Sequence, residues 1–191
     1  VNRSAADLRG RLPPCEDVMA TVDAAMHCNA HVAGAEVIAL MGALADCWGP
    51  SFARHMPTLW RAGYRAATDA SSPEDCGSAL RTFRALCASP HAALMAPYLD
   101  ILSELALRHI RNAATVGFDT RLACLALLAD IAAVQQANFA PYLGTSMSAL
   151  GCAVELCCAM DEECDESWEM QQGILRAYTR VLQSLPTQTV S

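Results

Sequence analysis

The chain has 191 residues, 53% hydrophobic and 17% charged, which is ample for a buried core and the opposite of a disordered composition. Twenty acidic against 13 basic residues leave a net charge of −7, which argues against nucleic acid as a direct partner, since binding phosphates needs a Lys/Arg surface. The longest apolar run, Leu122 to Val134, is interrupted by Asp130 and falls short of the roughly 20 residues that span a bilayer; no signal peptide is visible. In chain order, residues 1–13 read as the end of an incomplete unit, with DLRGRLPP as a turn. Cys15 to His27 predicts a helix carrying Val18, Val22 and Met26, and Cys28 to Gly34 a corner. Glu36 to Trp48 predicts a helix with Val37, Leu40, Met41, Leu44 and Cys47 on one face, stopped by Gly49-Pro50. Phe52 to Thr68 follows, with Met56, Leu59, Trp60 and Gly63 inward.

Asp69 to Pro73 is a polar loop, and Pro73 suits the first turn of the next helix, Glu74 to Cys87. Ser89-Pro90 makes a corner, and His91 to Asn112 contains a helix with Leu94, Tyr98, Leu102 and Leu105 inward. Thr115 to Val134 places Leu122, Leu125, Ala126, Ala129, Ala132 and Ala133 at helical steps. Phe139 to Met160 does the same with Leu143, Met147, Leu150, Val154 and Cys157. Asp161 to Ser167 is an acidic loop, Trp168 to Leu185 a last helix with Ile174, Tyr178, Val181 and Leu185 on one side, and the chain from Pro186 a frayed tail. Few segments alternate with period two, so no strands are expected.

The helices repeat. Asp46 lies eleven residues before Pro57 and Asp130 eleven before Pro141, while Leu86 stands in that place before Pro97. Pro14, Pro57, Pro97 and Pro141 are 43, 40 and 44 residues apart. Two helices in about 40 to 47 residues is the period of HEAT-type solenoids. The expected fold is therefore all-α, an α-α superhelix of about four antiparallel helix pairs. Its expected units are a partial repeat at 1–27, repeats at 34–69, 73–112 and 115–160, and the start of another at 165–186. The reading is of one segment of a longer solenoid.

The residues offer little chemistry. Most of the ten cysteines fall on apolar helical positions and read as free, small core residues of a reducing compartment. Cys152, Cys157, Cys158 and Cys164 contain no CxxC pair and have no nearby His, so no metal is expected. Cys87 and His91 are separated by Ser89-Pro90, and nothing orients the His for catalysis. No Gly-rich phosphate loop, nucleophile elbow or paired-carboxylate site is present, so neither an enzyme nor a cofactor is expected. Glu162, Glu163, Asp165 and Glu166 make a solvated loop first and a dock for a basic partner second. Trp60 and Trp168 fit apolar stripes, so core packing is the first expectation and partner contact the second.

The helix pair from Thr115 to Ser148, on the strength of the stretch ACLALLADIAAVQQANFAPYLGTSMSAL, resembles the late HEAT repeats of the importin beta (karyopherin) family. The resemblance rests on a small-residue helix with an aspartate, followed by an F-x-x-Y-L step, here Phe139, Tyr142 and Leu143. It extends to a G-x-x-F-x-x-x-M corner at Gly49, Phe52 and Met56, and to an AYT-x-x-x-Q helix at Ala177, Tyr178, Thr179 and Gln183. Leu86, where the neighbouring units carry Asp46 and Asp130, departs from the pattern.

The resemblance implies a segment of a nuclear transport receptor that imports protein cargo through the nuclear pore. Such a receptor works in the cytoplasm, the nucleus and at the nuclear envelope. The second ("B") helices of the family's repeats line a concave surface that grips cargo or an importin-alpha-like basic adaptor, and the Ran GTPase in its GTP state releases it. The outer ("A") helices carry shallow apolar slots for phenylalanine-glycine nucleoporin repeats. Asp100 and Glu104, one turn apart, with Glu155 on the next B helix and Glu162 and Glu163 beyond it, would form an acidic ladder; Trp60 and Trp168 would be its apolar anchors. The alternative is a HEAT scaffold of another complex, such as a phosphatase or assembly subunit. Neither reading involves nucleic acid or a membrane.

Overall fold

A computed structural model describes residues 14–28, 34–69, 72–112, 116–160 and 164–185. They form eight α-helices and three corner turns of 3-10 helix, with no strand among the described residues. The helices are α1 (Cys15–Cys28), α2 (Ala35–Trp48), α3 (Met56–Thr68), α4 (Pro73–Ala88), α5 (Leu99–Arg111), α6 (Phe118–Gln135), α7 (Leu143–Cys158) and α8 (Asp165–Gln183). The corners are Gly49–His55, Ala92–Tyr98 and Gln136–Tyr142. The all-α expectation holds. The turn before Pro14, the side chain of Met26, Glu162 and Glu163 in the acidic loop, and the tail from Pro186 lie outside what is described.

The chain divides into two compact units, Val1–Leu94 and Met95–Ser191. In the first, α2 and α4 are packed against each other, and α3 packs on α4. The Ala35 N–H donates to Asp75 Oδ1 at 2.8 Å, the Ser78 hydroxyl donates to the Ala35 carbonyl at 3.0 Å, and Gly42 faces Thr82. Residue numbers rise together along this contact, so α2 and α4 are parallel. Between α3 and α4 they run in opposite senses. The Cys76 thiol donates to the Ala67 carbonyl, while the Trp60 and Phe83 rings lie 5.2 Å apart. That pair is antiparallel. Asp75 serves two helices: the Ser72 hydroxyl caps α4 by accepting from the Asp75 N–H, and the Asp75 carboxylate accepts at the start of α2. Such charge-assisted caps satisfy N–H groups that a helix leaves open.

In the second unit α6 packs on α5 and α8, and α7 packs on the same two helices. Leu122 and Leu125 meet Gly173, and Asp130 meets Arg176, so α6 and α8 are again parallel. By length and composition alone, Phe118–Cys158 holds an 18-residue window apolar enough to cross a membrane. The corner with Pro141 cuts that stretch into two helices, and Leu125, Leu127, Leu128 and Ile131 are fully buried by their neighbours.

The corners carry the true period. They begin at Gly49, Ala92 and Gln136, steps of 43 and 44, and each buries its fourth residue completely: Phe52, Met95 and Phe139. Burial of each such side chain contributes roughly 1.5–3 kcal/mol. The proline period needs a correction. Pro97 and Pro141 lie inside their corner turns, but Pro57 lies in the first turn of α3, three residues later in the repeat. Asp46 is displaced from Asp130 by the same three residues. A shift of three is close to one helical turn, so it preserves the face and escapes a periodicity argument.

Several expected faces are rotated by about one residue. In α2 the buried line is Ile38, Met41, Leu44 and Ala45, and Leu40 is 48% exposed. In α7 it is Ser146, Ala149, Leu150, Ala153 and Cys157, while Met147 and Val154 are exposed. Cys76, Leu80, Phe83 and Cys87 are buried as expected. None of the nine cysteines whose side chains are described is in a disulfide; Cys76, Cys87, Cys124 and Cys157 are buried and Cys158 is exposed.

Candidate interaction surfaces

Two grooves run between parallel A helices, one in each unit. The first has a volume of about 470 Å³ and is walled largely by small residues, among them Ala39, Gly42 and Ala43 of α2 and Ala85 of α4. Its helices approach closely because Gly42 has no side chain: a Cβ there would sit 2.4 Å from Thr82 Cγ2. The exposed walls Ala43 and Ala85 leave space that longer side chains would fill. Asp46 and Arg81 also line it, so it carries both signs of charge. Its size falls within the roughly 300–1,000 Å³ of ligand pockets.

The second groove, of about 320 Å³, lies between α6 and α8. Ala132, Ala133 and Ala137 form its apolar side, and Gln136, Arg180 and Gln183 its polar side. Gln136 has φ +48° and ψ −125°, the one positive φ of a non-glycine residue among those described. Gly49 holds nearly the same conformation at the equivalent corner, φ +54° and ψ −126°. That region costs a residue with a Cβ roughly 1–3 kcal/mol.

The expected acidic ladder is only partly assembled. Asp100 and Glu104 are both exposed on α5. Asp100 accepts hydrogen bonds from Gln135 Nε2, at 3.2 Å, and from the Tyr142 hydroxyl. Burial, this bond and the negative charges of Asp100 and Glu104 raise the Tyr142 pKa above its ordinary value. Arg108 and Arg111 continue the exposed face of α5, and Arg111 Nη2 donates to the Thr145 carbonyl at 3.0 Å. The face therefore changes sign along its length. Glu155 is exposed on α7, twelve residues beyond Leu143 and so about 18 Å along the helix from it. Glu162 and Glu163 lie outside the described residues.

The two tryptophans part company. Trp60 is half-buried, its ring 5.2 Å from those of both Tyr64 and Phe83. Trp168 is 63% exposed on α8, in line with Leu175 and Leu182 at seven-residue steps, which corrects its expected place in a packed stripe. The polar junction at Asp100 and the strained Gln136 had no signal in the sequence, because both depend on backbone geometry and on partners 35 and 42 residues away.

A family model described as "Importin subunit beta-1-like, TPR repeats" matches residues 16–191. The chain belongs to the importin subunit beta-1-like family. No curated protein and no solved structure matches it. An importin-beta-like repeat region accounts for the parallel stacking of α2 on α4 and of α6 on α8, and it places the chain among transport-receptor-like helical repeat proteins. Although the description speaks of TPR repeats, the 43- and 44-residue corner steps exceed the 34 of that motif and match the HEAT period.

Proposed function

We propose that this importin-beta-like chain is a segment, from the later repeats, of a receptor that carries protein cargo through the nuclear pore between cytoplasm and nucleus. It acts by binding, without catalysis. The observation that supports this best is the groove between α2 and α4. Its alanine and glycine walls leave an apolar slot the size of one aromatic side chain and its neighbours, on the A-helix side where the family takes phenylalanine-glycine nucleoporin repeats. The acidic turn of α5, Asp100 and Glu104, is the seat for a basic adaptor or cargo helix, with Ran-GTP as the releasing partner. The opposite sign of Arg108 and Arg111 limits that seat to the first half of α5. Each exposed pair contributes only about 0.2–1 kcal/mol, so apolar contacts must supply the rest.

The test is titration of the chain with a fluorescent phenylalanine-glycine peptide, alongside capture of Ran-GTP against Ran-GDP. The double variant Ala43→Gln, Ala85→Gln fills the groove at exposed positions and leaves the core intact. Peptide binding is expected to fall at least tenfold. Unchanged peptide binding, together with no preference for Ran-GTP, would leave a HEAT scaffold of another complex as the better reading.

A further inference from the structure

Helix α3 stands apart from the others in its charge. It is the one described helix that carries basic residues and no acidic one; the first carboxylate after it is its C-cap, Asp69. In a chain with 20 acidic and 13 basic residues, composition does not account for that. Its two arginines, Arg61 and Arg65, are exposed, and neither enters an ion pair among the described residues. Elsewhere Arg54 pairs with Glu16 and Arg176 meets Asp130.

The arginines have aromatic neighbours at the same spacing. Arg61 and Arg65 are one turn apart, and so are the residues just before them, Trp60 and Tyr64. Helical geometry sets these as two rows side by side, one of guanidinium groups and one of rings. The rings are fixed in place. Trp60 and Tyr64 stack with centroids 5.2 Å apart and 30° between their planes, and the fully buried Phe83 of α4 holds Trp60 at the same distance. Phe83 reaches that position because residue 63 is glycine: a Cβ there would stand 2.5 Å from Phe83 Cζ. Trp60 and Tyr64 are half-buried, so each still shows part of its ring to solvent.

Two guanidinium groups one turn apart match two carboxylates one turn apart on a partner helix, where Cβ atoms repeat at about 5–6 Å. A rigid ring row beside them matches apolar residues adjacent to those carboxylates, and it is ordered before the partner arrives. Arginine and aromatic side chains are also the types that dominate binding energy at protein interfaces. A single-stranded nucleic acid could use the same rings for its bases. Two arginines, however, give it only two phosphate contacts, and the net charge of −7 opposes the rest of its backbone.

We propose that the exposed face of α3 docks an acidic amphipathic helix of a partner protein. Arg61 and Arg65 pair with carboxylates one turn apart, and apolar side chains beside those carboxylates lie on Trp60 and Tyr64. The surface is opposite in sign to the acidic turn of α5, and it stands whether or not the chain belongs to a transport receptor.

The test uses a fluorescent peptide built to mirror the two rows, acetyl-Ala-Glu-Leu-Ala-Ala-Glu-Leu-Ala-Ala-Glu-Leu-Ala-amide, followed by anisotropy against the 191-residue chain. Saturable binding that weakens as salt rises is expected. The same peptide with glutamine for glutamate should bind at least tenfold more weakly. The double variant Arg61→Gln, Arg65→Gln changes only exposed side chains, so its urea midpoint should stay unchanged while peptide affinity falls at least tenfold. Tyr64→Ala should weaken binding severalfold. The proposal is overturned if the glutamate peptide gives no saturable binding, if the glutamine peptide binds equally well, or if the double variant keeps its affinity. It is overturned equally if a 12-residue oligothymidine binds α3 more tightly than the peptide does, because the face would then read as a nucleic-acid surface.

Discussion

The two units of the molecule solve the same corner with different residues. Gly49 and Gln136 share φ and ψ to within a few degrees, and three residues later Phe52 and Phe139 are equally buried. In the first unit the glycine is required twice over: φ is +54°, and a Cβ would stand 2.7–2.9 Å from the His91 ring. In the second the backbone accepts a side chain at a cost. A second contrast follows one helix later. Leu59 and Leu102 occupy the fourth place after their corners, fully buried, and Ser146 occupies that place in α7, equally buried, with an Oγ that finds no hydrogen-bond partner. The repeat thus dictates backbone path and burial more strictly than side-chain chemistry.

That contrast can be broken most forcefully by making the first corner like the second. Gly49→Gln combines left-handed strain with a clash on His91 and should cost about 2–4 kcal/mol in urea unfolding. The reverse exchange, Gln136→Gly, should stabilise by about 1 kcal/mol. Opposite signs at two equivalent positions would establish that the corner, rather than the residue, sets the conformation; two losses would refute it. Ser146→Ala removes an orphaned hydroxyl and should stabilise by about 1 kcal/mol, readable as a higher urea midpoint at constant m-value.

The smallest effect is one of pH. The Tyr142 pKa is raised in the folded chain, so its contribution is complete below the unfolded value of about 10 and is lost as pH rises through the folded value. Ionisation replaces a donor to Asp100 by a negative charge beside Asp100 and Glu104. Tyr142→Phe should cost about 0.5 kcal/mol at neutral pH. That difference should shrink above pH 10, and a difference constant from pH 7 to 11 would remove Asp100 as the cause.

Much of the fold was legible because helix breakers and apolar steps are local properties. Gly49-Pro50 and Ser89-Pro90 mark corners wherever they occur, although they stand 40 residues apart and the 43- and 44-residue recurrence belongs to the corner turns themselves. Which diagonal of a helix is buried was less legible. In α2, Val37-Leu40-Leu44 and Ile38-Met41-Ala45 are both apolar lines, and the packing buries the second together with Leu44 while Leu40 stays exposed. In α6 and α7 alanine and cysteine occur on every side, so composition hardly distinguishes the faces. Trp168 misled for a related reason: its stripe is apolar, but the helices packed on α8 cover Met170, Ile174, Ala177 and Val181 instead. Of the acidic ladder, sequence spacing placed Asp100 and Glu104 together. It could not foresee that Asp100 would be engaged by Gln135 and Tyr142, or how far along α7 Glu155 would stand.

Asp75 makes the order of assembly matter. Its carboxylate closes the N-terminus of α2, forty residues earlier in the chain, while its own amide is held by the Ser72 cap of α4. The start of α2 therefore gains its cap only once α4 has formed and docked. Until then its first N–H groups stay open to water, and the leading turn is free to exchange. A helix finished by its successor passes cooperativity backwards along the chain, from the later repeat to the earlier. Amide exchange at Ala35 would report the docking of α4 before it reported any event within α2 itself.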